Sequence, residues 1–345
     1  MPAQDEPRPH SLGLEPSPDE SLQSYVFRLA RRRRTEPPHA LAIRLGWARL
    51  ATRVRRDVVE RLAREAQVPL KSLLPLWRGD PDNSHVLFWN RRLPVSALDW
   101  RSGAGRKVCP ECLAEFGRHL AVWDLSFVSA CPIHRAALVD TCLACKLPLS
   151  WKGDDVAWCG CAAGGDLRRI RAAPVTLEQA HATACVQGML GDPRFASEGA
   201  EALARPPFQN MTPGRAVEFL VRLGLDAVAT RPRRQPFAFE RLGDYDVPPH
   251  ESLARALAAV GNWPTGFPAV LDHLRRHHVT DVGEATRRVT TPVVRWVTHV
   301  SGGGGKEIRR AVAEYRRATR ALPGYVSWHD KRKARAAAIR SDGEE

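Results

Sequence analysis

Seven of the eight cysteines fall between Cys109 and Cys161, six of them in close pairs and Cys131 beside His134. Cys109-Pro110-Glu111-Cys112 is followed, after 18 intervening residues, by Cys131-Pro132-Ile133-His134; Cys142-Leu143-Ala144-Cys145 is followed, after 13, by Cys159-Gly160-Cys161. Each set offers four soft ligands as two close pairs, the donor set of a tetrahedral structural zinc. The reading is therefore one zinc on Cys109, Cys112, Cys131 and His134, and a second on Cys142, Cys145, Cys159 and Cys161. A disulfide framework competes, but a reducing compartment seldom keeps one and it leaves His134 without a role. Two closed four-ligand sites leave no open coordination position, so they are expected to build structure and to perform no hydrolysis. Each would contribute on the order of 10 kcal/mol of folding free energy. Cys185 is left over in a mostly apolar stretch, Leu177 to Leu190, where a buried core thiol is expected.

The chain has 345 residues and a formal net charge of +14, and only seven of its 52 basic residues are lysine. That length suggests two or three modules, and 43% apolar residues are enough to bury cores, which argues against wholesale disorder. No apolar run is long enough to cross a membrane, and the polar, Pro-rich start from Met1 to Pro16 does not resemble a signal peptide, so the cytoplasm is the expected location. Arginine offers a planar fork to phosphate and guanine edges, although a GC-rich coding bias replaces lysine by arginine as well. The excess is concentrated at two places. Eleven arginines lie between Arg28 and Arg61 against Glu36, Asp57 and Glu60, and eleven basic residues lie between Lys306 and Arg340 against Glu307, Glu314 and Asp330. Candidate nucleic-acid contacts in and around these stretches are Arg31, Arg32, Arg33, Arg34, Lys71, Arg309, Arg310, Arg316 and Arg317; a solvated charged face is the plain alternative.

In the N-terminal part, Ser17-Pro18-Asp19-Glu20 predicts a helix start with Ser17 as N-cap, Pro18 at the first position and Glu20 closing a capping box. Leu22, Tyr25, Val26 and Leu29 then repeat at helical spacing, with Arg31 to Arg34 at the C-terminal end, where cations are favoured. A second helix is expected from about Val54 to Ala66 and a third from about Leu70 to Trp77, separated by Gln67-Val68-Pro69. This reads as a helix-turn-helix, with Ala63 at the crossing, Val68 in the turn and Pro69 opening the next helix, although Gln67 stands where glycine is usual. A three-helix bundle that binds only protein fits the same pattern.

Beyond the cysteines, Gly153 to Gly165 is a glycine-containing loop tied to the second set, and Arg168 to Arg171 is a short basic strand or turn. Helical patterns follow at about Leu177–Leu190, Pro213–Leu223 and Glu251–Val260, with linkers at Pro206-Pro207 and Arg231 to Pro236. Glu284 to Trp296 reads either as a second helix-turn-helix, Pro292 opening its recognition helix and Arg287, Arg288 and Arg295 facing phosphate, or as a plain helical hairpin. Gly302 to Gly305 is a hinge, and a P-loop is excluded because Glu307 follows Lys306 where Ser or Thr is required. Ile308, Val312, Tyr315, Thr319 and Leu322 form the seam of a basic amphipathic C-terminal helix, and the tail from Lys331 to Arg335 is expected to fray.

The run Val108-Cys109-Pro110-Glu111-Cys112, Trp123, Leu125, Cys131-Pro132-Ile133-His134, Leu138, Cys142-Leu143-Ala144-Cys145 and Leu149 resembles the TniQ family of transposition proteins. So do the opening, Glu15-Pro16 through Asp19-Glu20-Ser21-Leu22 with Ser24, Arg28 and Leu29, and a later stretch, Leu257 with Trp263-Pro264-Thr265-Gly266-Phe267 and Leu271. The resemblance extends over residues 10 to 275 and is strongest at 108 to 150. TniQ-like proteins, the TnsD-type selectors among them, act as target-site adaptors that recognise DNA or dock on an RNA-guided CRISPR effector. They help recruit a AAA+ ATPase, which brings the transposase. The resemblance implies that role, two structural zinc ions, and a homodimer, since TniQ-like chains in CRISPR-linked systems can pair head to tail. This chain is shorter than the DNA-reading selectors with extended C-terminal regions.

The expected architecture is thus mainly α: an N-terminal helix-turn-helix module (1–80), a central double-zinc ribbon or finger block with short strands (81–165), a C-terminal helical domain (166–300) and a basic C-terminal helix and tail (301–345). A zinc-stabilised helix-turn-helix transcriptional regulator is the competing function. An enzyme is not expected: there are no paired carboxylates, no recognisable Ser/His/Asp set and no open metal site, and His277-His278 is a surface doublet.

Overall fold

The computed structural model describes residues 14–34, 36–48, 54–79, 85–89, 91–94, 106–230, 247–278, 280–298, 305–327 and 330–334. Arg49 and Arg53 of the first basic stretch, the linker from Arg231 to Pro236, Gly302 to Gly304 of the hinge, and Arg335 and Arg340 lie outside them. In chain order the elements are α1 (Leu22–Arg33), α2 (Pro38–Arg44), α3 (Arg56–Ala66), α4 (Leu70–Leu73), β1 (His85–Phe88), β2 (Arg91–Pro94), α5 (Pro110–Phe116), β3 (Ala130–Cys131), β4 (Ala136–Ala137), α6 (Leu177–Leu190), α7 (Ala196–Ala204), α8 (Pro213–Ala227), α9 (Pro249–Gly261), α10 (Gly266–Arg276), α11 (Val282–Thr298) and α12 (Lys306–Thr319). The fold is mainly helical, as expected, with short strands and two cysteine-rich clusters in its central region. It divides into two compact units, one of residues 1–125 with 136–174, the other of residues 126–135 with 175–345.

In the first unit, α1 buries Leu22, Tyr25, Val26 and Leu29 as its spacing predicts, together with Phe27 and Ala30. Its start differs from the sequence reading. The N-cap is Ser21, whose hydroxyl accepts from the Ser24 N–H at 3.2 Å, while Ser17 to Glu20 form a turn. The reason is long-range: Ser21 N–H donates to His119 O at 2.9 Å and Ala121 N–H to Asp19 O at 2.8 Å, so the backbone around Glu20 is extended against residues 119–121 and cannot be helical. The buried Glu20 carboxylate accepts from Ser24 Oγ at 2.8 Å and Arg28 at 2.6 Å; burial nevertheless raises its pKa, Arg28 opposing.

The α3-turn-α4 segment follows the sequence reading in part. Ala63 and Val68 are buried, and Gln67 adopts the left-handed conformation (φ 56°) that glycine would take most easily. The expected helix to Trp77 is instead four residues of α-helix followed by a 3-10 turn over Leu74–Leu76, because Pro75 has no N–H to continue the ladder. Helix α2 was not foreseen; Pro38 at its first position was the available signal. Strands β1 and β2 are antiparallel, with His85 opposite Pro94 and Phe88 opposite Arg91.

In the second unit, α6 runs over Leu177–Leu190 as predicted, opened by a capping box between Thr176 and Gln179. Phe219 of α8 lies 6.0 Å from Phe208, 6.0 Å from Phe267 and 5.8 Å from Trp296, which makes it the centre of an aromatic core. The second helix-turn-helix reading is corrected. Residues 282–298 form one helix with Pro292 inside it, because Ala285, Val289, Val293, Trp296 and Val297 make a continuous buried face whose burial outweighs the lost hydrogen bond. Helix α12 buries Ile308, Val312, Tyr315 and Thr319, but it ends there, and Leu322 is 38% exposed beyond it.

Glu218 ties this unit together: it accepts from Trp296 Nε1 at 2.9 Å, Arg222 at 2.6 Å and Arg215 at 2.6 Å while only 4% exposed. Replacing it by alanine removes a shared acceptor of the indole N–H and two guanidiniums from a buried network, so Glu218→Ala is expected to cost about 3 kcal/mol of stability, with Glu218→Gln costing less. Urea denaturation followed by circular dichroism measures both; equal midpoints for wild type and Glu218→Ala would contradict the assignment.

Candidate metal centres

Each ligand pair stands on a backbone conformation that aims two donors the same way. Cys109 is the N-cap of α5 and Cys112 lies in its first turn, with Pro110 preset at the first helical position. Cys131 ends β3, and the turn carrying His134 closes at Arg135, in the left-handed region (φ 50°). In the second set, Cys142 N–H donates to Leu147 O at 3.0 Å and Lys146 N–H to Cys142 O at 2.9 Å, so Cys142 and Cys145 flank a knuckle closed by Lys146 at φ 60°. Its partner pair lies on a tight loop: Cys159 N–H donates to Gly165 O at 3.1 Å, and Gly164 N–H to Cys161 O at 2.9 Å.

Both predicted quartets converge. The four donor atoms of Cys109, Cys112, Cys131 and His134 lie within 4.8 Å of one another, as do those of Cys142, Cys145, Cys159 and Cys161, so each group could hold a metal ion. None of the eight cysteines forms a disulfide in this structure. The spacings fit a tetrahedron. With metal–sulfur and metal–nitrogen bonds of ~2.3 and ~2.0 Å, its edges are ~3.8 Å between sulfurs and ~3.5 Å from sulfur to nitrogen. Cys145 Sγ and Cys159 Sγ are 3.8 Å apart, and Cys131 Sγ and His134 Nδ1 are 3.6 Å apart.

The electrostatics of the second group point to a cation. The Gly165 N–H holds the Cys161 thiol down to about 7, whereas burial pushes Cys159 up to about 12, with the neighbouring thiols adding to the rise. The two shifts run in opposite directions across neighbouring sulfurs, and a divalent ion would let thiols so crowded ionise together. Cys185 is 2% exposed, and burial raises it to about 11, the environment of an inert core thiol.

The sequence-derived basic residues are distributed more widely. In the first unit Arg32, Arg34 and Lys71 are exposed, the exposed Arg31 pairs with Asp155, and Arg33 pairs with the Glu65 carboxylate and carbonyl. In the second, Arg309 and Arg317 are exposed, Arg287 and Arg288 share Glu284 at 2.7 and 3.0 Å, Arg310 pairs with Glu307 at 3.1 Å, and Arg316 donates to Thr290 Oγ1 at 2.8 Å. Arg316 thus fastens α12 to α11. The sequence reading also passed over Arg106, buried beside the second quartet, and His119, buried between Trp123 and Trp151 at 5.0 and 4.9 Å. Neither lies in a patterned segment, so no local signal marked them. Among the described residues no helix is long and apolar enough to cross a membrane.

Two glycines make the second group possible. Gly160 takes φ 75° between its two ligands, and a Cβ on Gly165 would lie 2.8 Å from Cys142 Sγ. Gly165→Ala is therefore expected to weaken metal binding by that group ~10-fold while sparing the Cys109 group, the scale of a disturbed ligand surround. Competition with a chromophoric chelator reads the two affinities, and an unchanged pair would contradict the packing argument.

Comparison with known proteins agrees with the geometry. No curated protein matches the chain. Residues 11–138 match the family described as TniQ, a span that takes in the opening segment, α1 to α5 and all four donors of the first group, and ends before Cys142, short of the range to residue 275 over which the sequence resemblance was read. Over residues 11–138 the chain matches a TniQ domain, a family of transposition-associated proteins.

Proposed function

We propose that this chain is a non-catalytic adaptor that selects target sites for a transposon. It carries two structural zinc ions, binds DNA, an RNA-guided CRISPR effector or both, and helps recruit a AAA+ ATPase and through it the transposase. The observation that carries the reading is the TniQ match over residues 11–138 enclosing the first group, of three cysteines and a histidine, with a second group of four cysteines following it. Zinc fits both: thiolate-rich, closed, four-donor sites suit a d10 ion without geometric preference, and its chemistry there is to cross-link the chain. Cys109, Cys112, Cys131 and His134 would hold one ion and Cys142, Cys145, Cys159 and Cys161 the other. A homodimer and a cytoplasmic, nucleoid-associated location belong to the same proposal, as does the division into segments 1–80, 81–165, 166–300 and 301–345.

The exposed cations Arg32, Arg34, Lys71, Arg309 and Arg317 are the candidates for phosphate contact. Arg31, Arg33, Arg287, Arg288 and Arg310 would first exchange carboxylate partners for phosphate. Exposed ion pairs are worth well under 1 kcal/mol, so that exchange costs little. The α3-turn-α4 geometry favours one competing reading, a zinc-stabilised helix-turn-helix transcriptional regulator.

Metal analysis of the purified chain is expected to give two zinc ions, falling to one in Cys109→Ser and to one in Cys142→Ser; an absence of zinc overturns the metal reading. The functional arm is capture of a AAA+ ATPase and a transposase, taken from the neighbouring genes where these encode them. Retention of the ATPase supports the adaptor, whereas promoter binding without ATPase capture supports the regulator. If the Arg faces meet DNA directly, log affinity should fall with log salt at a slope near the number of phosphate contacts.

A further inference from the structure

Among the described residues, Arg106 is a buried charge that the fold alone does not explain. Its side chain is 1% exposed, its guanidinium lies 4.9 Å from the Trp151 ring centre, and Nη1 donates to Trp158 O at 3.2 Å and, more weakly, to Ser150 O at 3.4 Å. Nε and Nη2 have no partner, and among the described residues no carboxylate forms an ion pair with it. Burial lowers it to about 10, so it remains cationic at neutral pH, and the groups that favour its charge are Cys159 first and Asp155 second. Asp155 is already engaged by Arg31 and by the Ala157 N–H. An isolated buried guanidinium is among the costliest groups a protein can hold, and two unpaired N–H arms add to that cost.

The second cysteine group resolves the cost. Four thiolates around a divalent ion carry a net charge of −2, and with Cys142 and Cys159 buried that charge is stabilised by a compensating cation on its inner side. The group of three cysteines and a histidine, one unit less negative, needs it less. Arg106 stands where such a cation is required. It holds the carbonyl of Trp158, the residue immediately before Cys159, and it belongs to the same unit as all four thiols.

We propose that Arg106 is the buried countercharge of the metal–thiolate centre formed by Cys142, Cys145, Cys159 and Cys161, and that it orients the Cys159 loop through the Trp158 carbonyl. It is a positioning residue, and the proposal rests on the reading that this group binds zinc. Charge and hydrogen bonding are separable by substitution. Lysine keeps the charge, glutamine keeps a donor for the carbonyl without charge, and methionine keeps apolar volume alone.

The test uses the full-length chain, with zinc affinity read by chelator competition, the two sites assigned by cadmium NMR, and the sulfur-to-cobalt charge-transfer band recorded after cobalt substitution. Arg106→Gln and Arg106→Met are expected to weaken the four-cysteine site ~10- to 100-fold and leave the site containing His134 unchanged, the range for losing a supporting group around a metal. Arg106→Lys is expected to stay within a few-fold of wild type. The charge-transfer band of the four-cysteine site should move to lower energy in the neutral variants, because thiolates without a neighbouring cation give up electron density more readily. Unchanged affinity and band position in Arg106→Gln overturn the proposal. So does an equal loss in Arg106→Lys, which also decides the matter should the neutral variants fail to fold. A wild-type chain that takes up no zinc at the four-cysteine site is a different result, failing the metal reading and this proposal together.

Discussion

The convergence of four donor atoms, twice, is the constraint on which this structure turns. From residue 106 to 174 the chain forms one seven-residue helix, two dipeptide strands and a few 3-10 turns, far too little regular structure to hold itself together by backbone ladders. Buried sulfurs at metal-binding spacing are poor neighbours on their own: ionised they repel, and protonated they make weak hydrogen bonds. A divalent ion would convert that crowding into a cross-link. Other packing adjoins these cysteines. Trp151, in the loop between the Cys142–Cys145 and Cys159–Cys161 pairs, meets Phe27 of α1 at 5.5 Å and His119 at 4.9 Å, so part of the support for α1 comes from a loop whose ends are fixed at the cysteines.

How far the sequence revealed this depends on the distance over which each determinant acts. The ligand quartets were legible because each is two local pairs, and local spacing survives any tertiary arrangement. Helix α6 was legible to the residue, and α8 and α9 nearly so, because their apolar faces repeat. The start of α1 was misplaced because Ser17 has every local mark of an N-cap, yet backbone pairing with residues about a hundred positions away keeps Glu20 extended. Pro292 misled in the opposite direction: a residue that breaks isolated helices is tolerated where five buried side chains hold the helix on both sides of it. Arg106 could not be found locally at all, since a buried cation is defined by what surrounds it.

The arginine excess divides along similar lines. Counted in sequence, the two basic stretches look equivalent. In the fold some of these cations are structural, such as Arg316 on Thr290, some pair with carboxylates at the surface, and others, such as Arg32 and Arg309, stand exposed to solvent. The pairing of Arg287 and Arg288 with one carboxylate is informative. Glu284 is held down to about 2 by hydrogen bonds from the two guanidiniums, which keeps one acid ionised while leaving a net positive charge on that face of α11. Such a face remains open to an anionic partner, because a shared acid neutralises only one of two cations.

The family match ends at residue 138, between the two cysteine groups, and the physics of the two groups differs at that boundary. A metal centre of three thiolates and an imidazole carries less negative charge and needs little compensation from its surroundings. A centre of four thiolates asks for a buried cation, and this chain holds one at residue 106, inside the matched span, while its thiols lie outside it. Residues 11–125 of the matched span and the second cysteine loop therefore belong to one folding unit. The aromatic contact of Trp151 with α1, the Arg31–Asp155 pair and the hold of Arg106 on the Trp158 carbonyl all join residues of the matched span to the second cysteine loop. On these contacts the second group acts as a brace for the domain that precedes it, and the boundary of the family match is not the boundary of the folded unit.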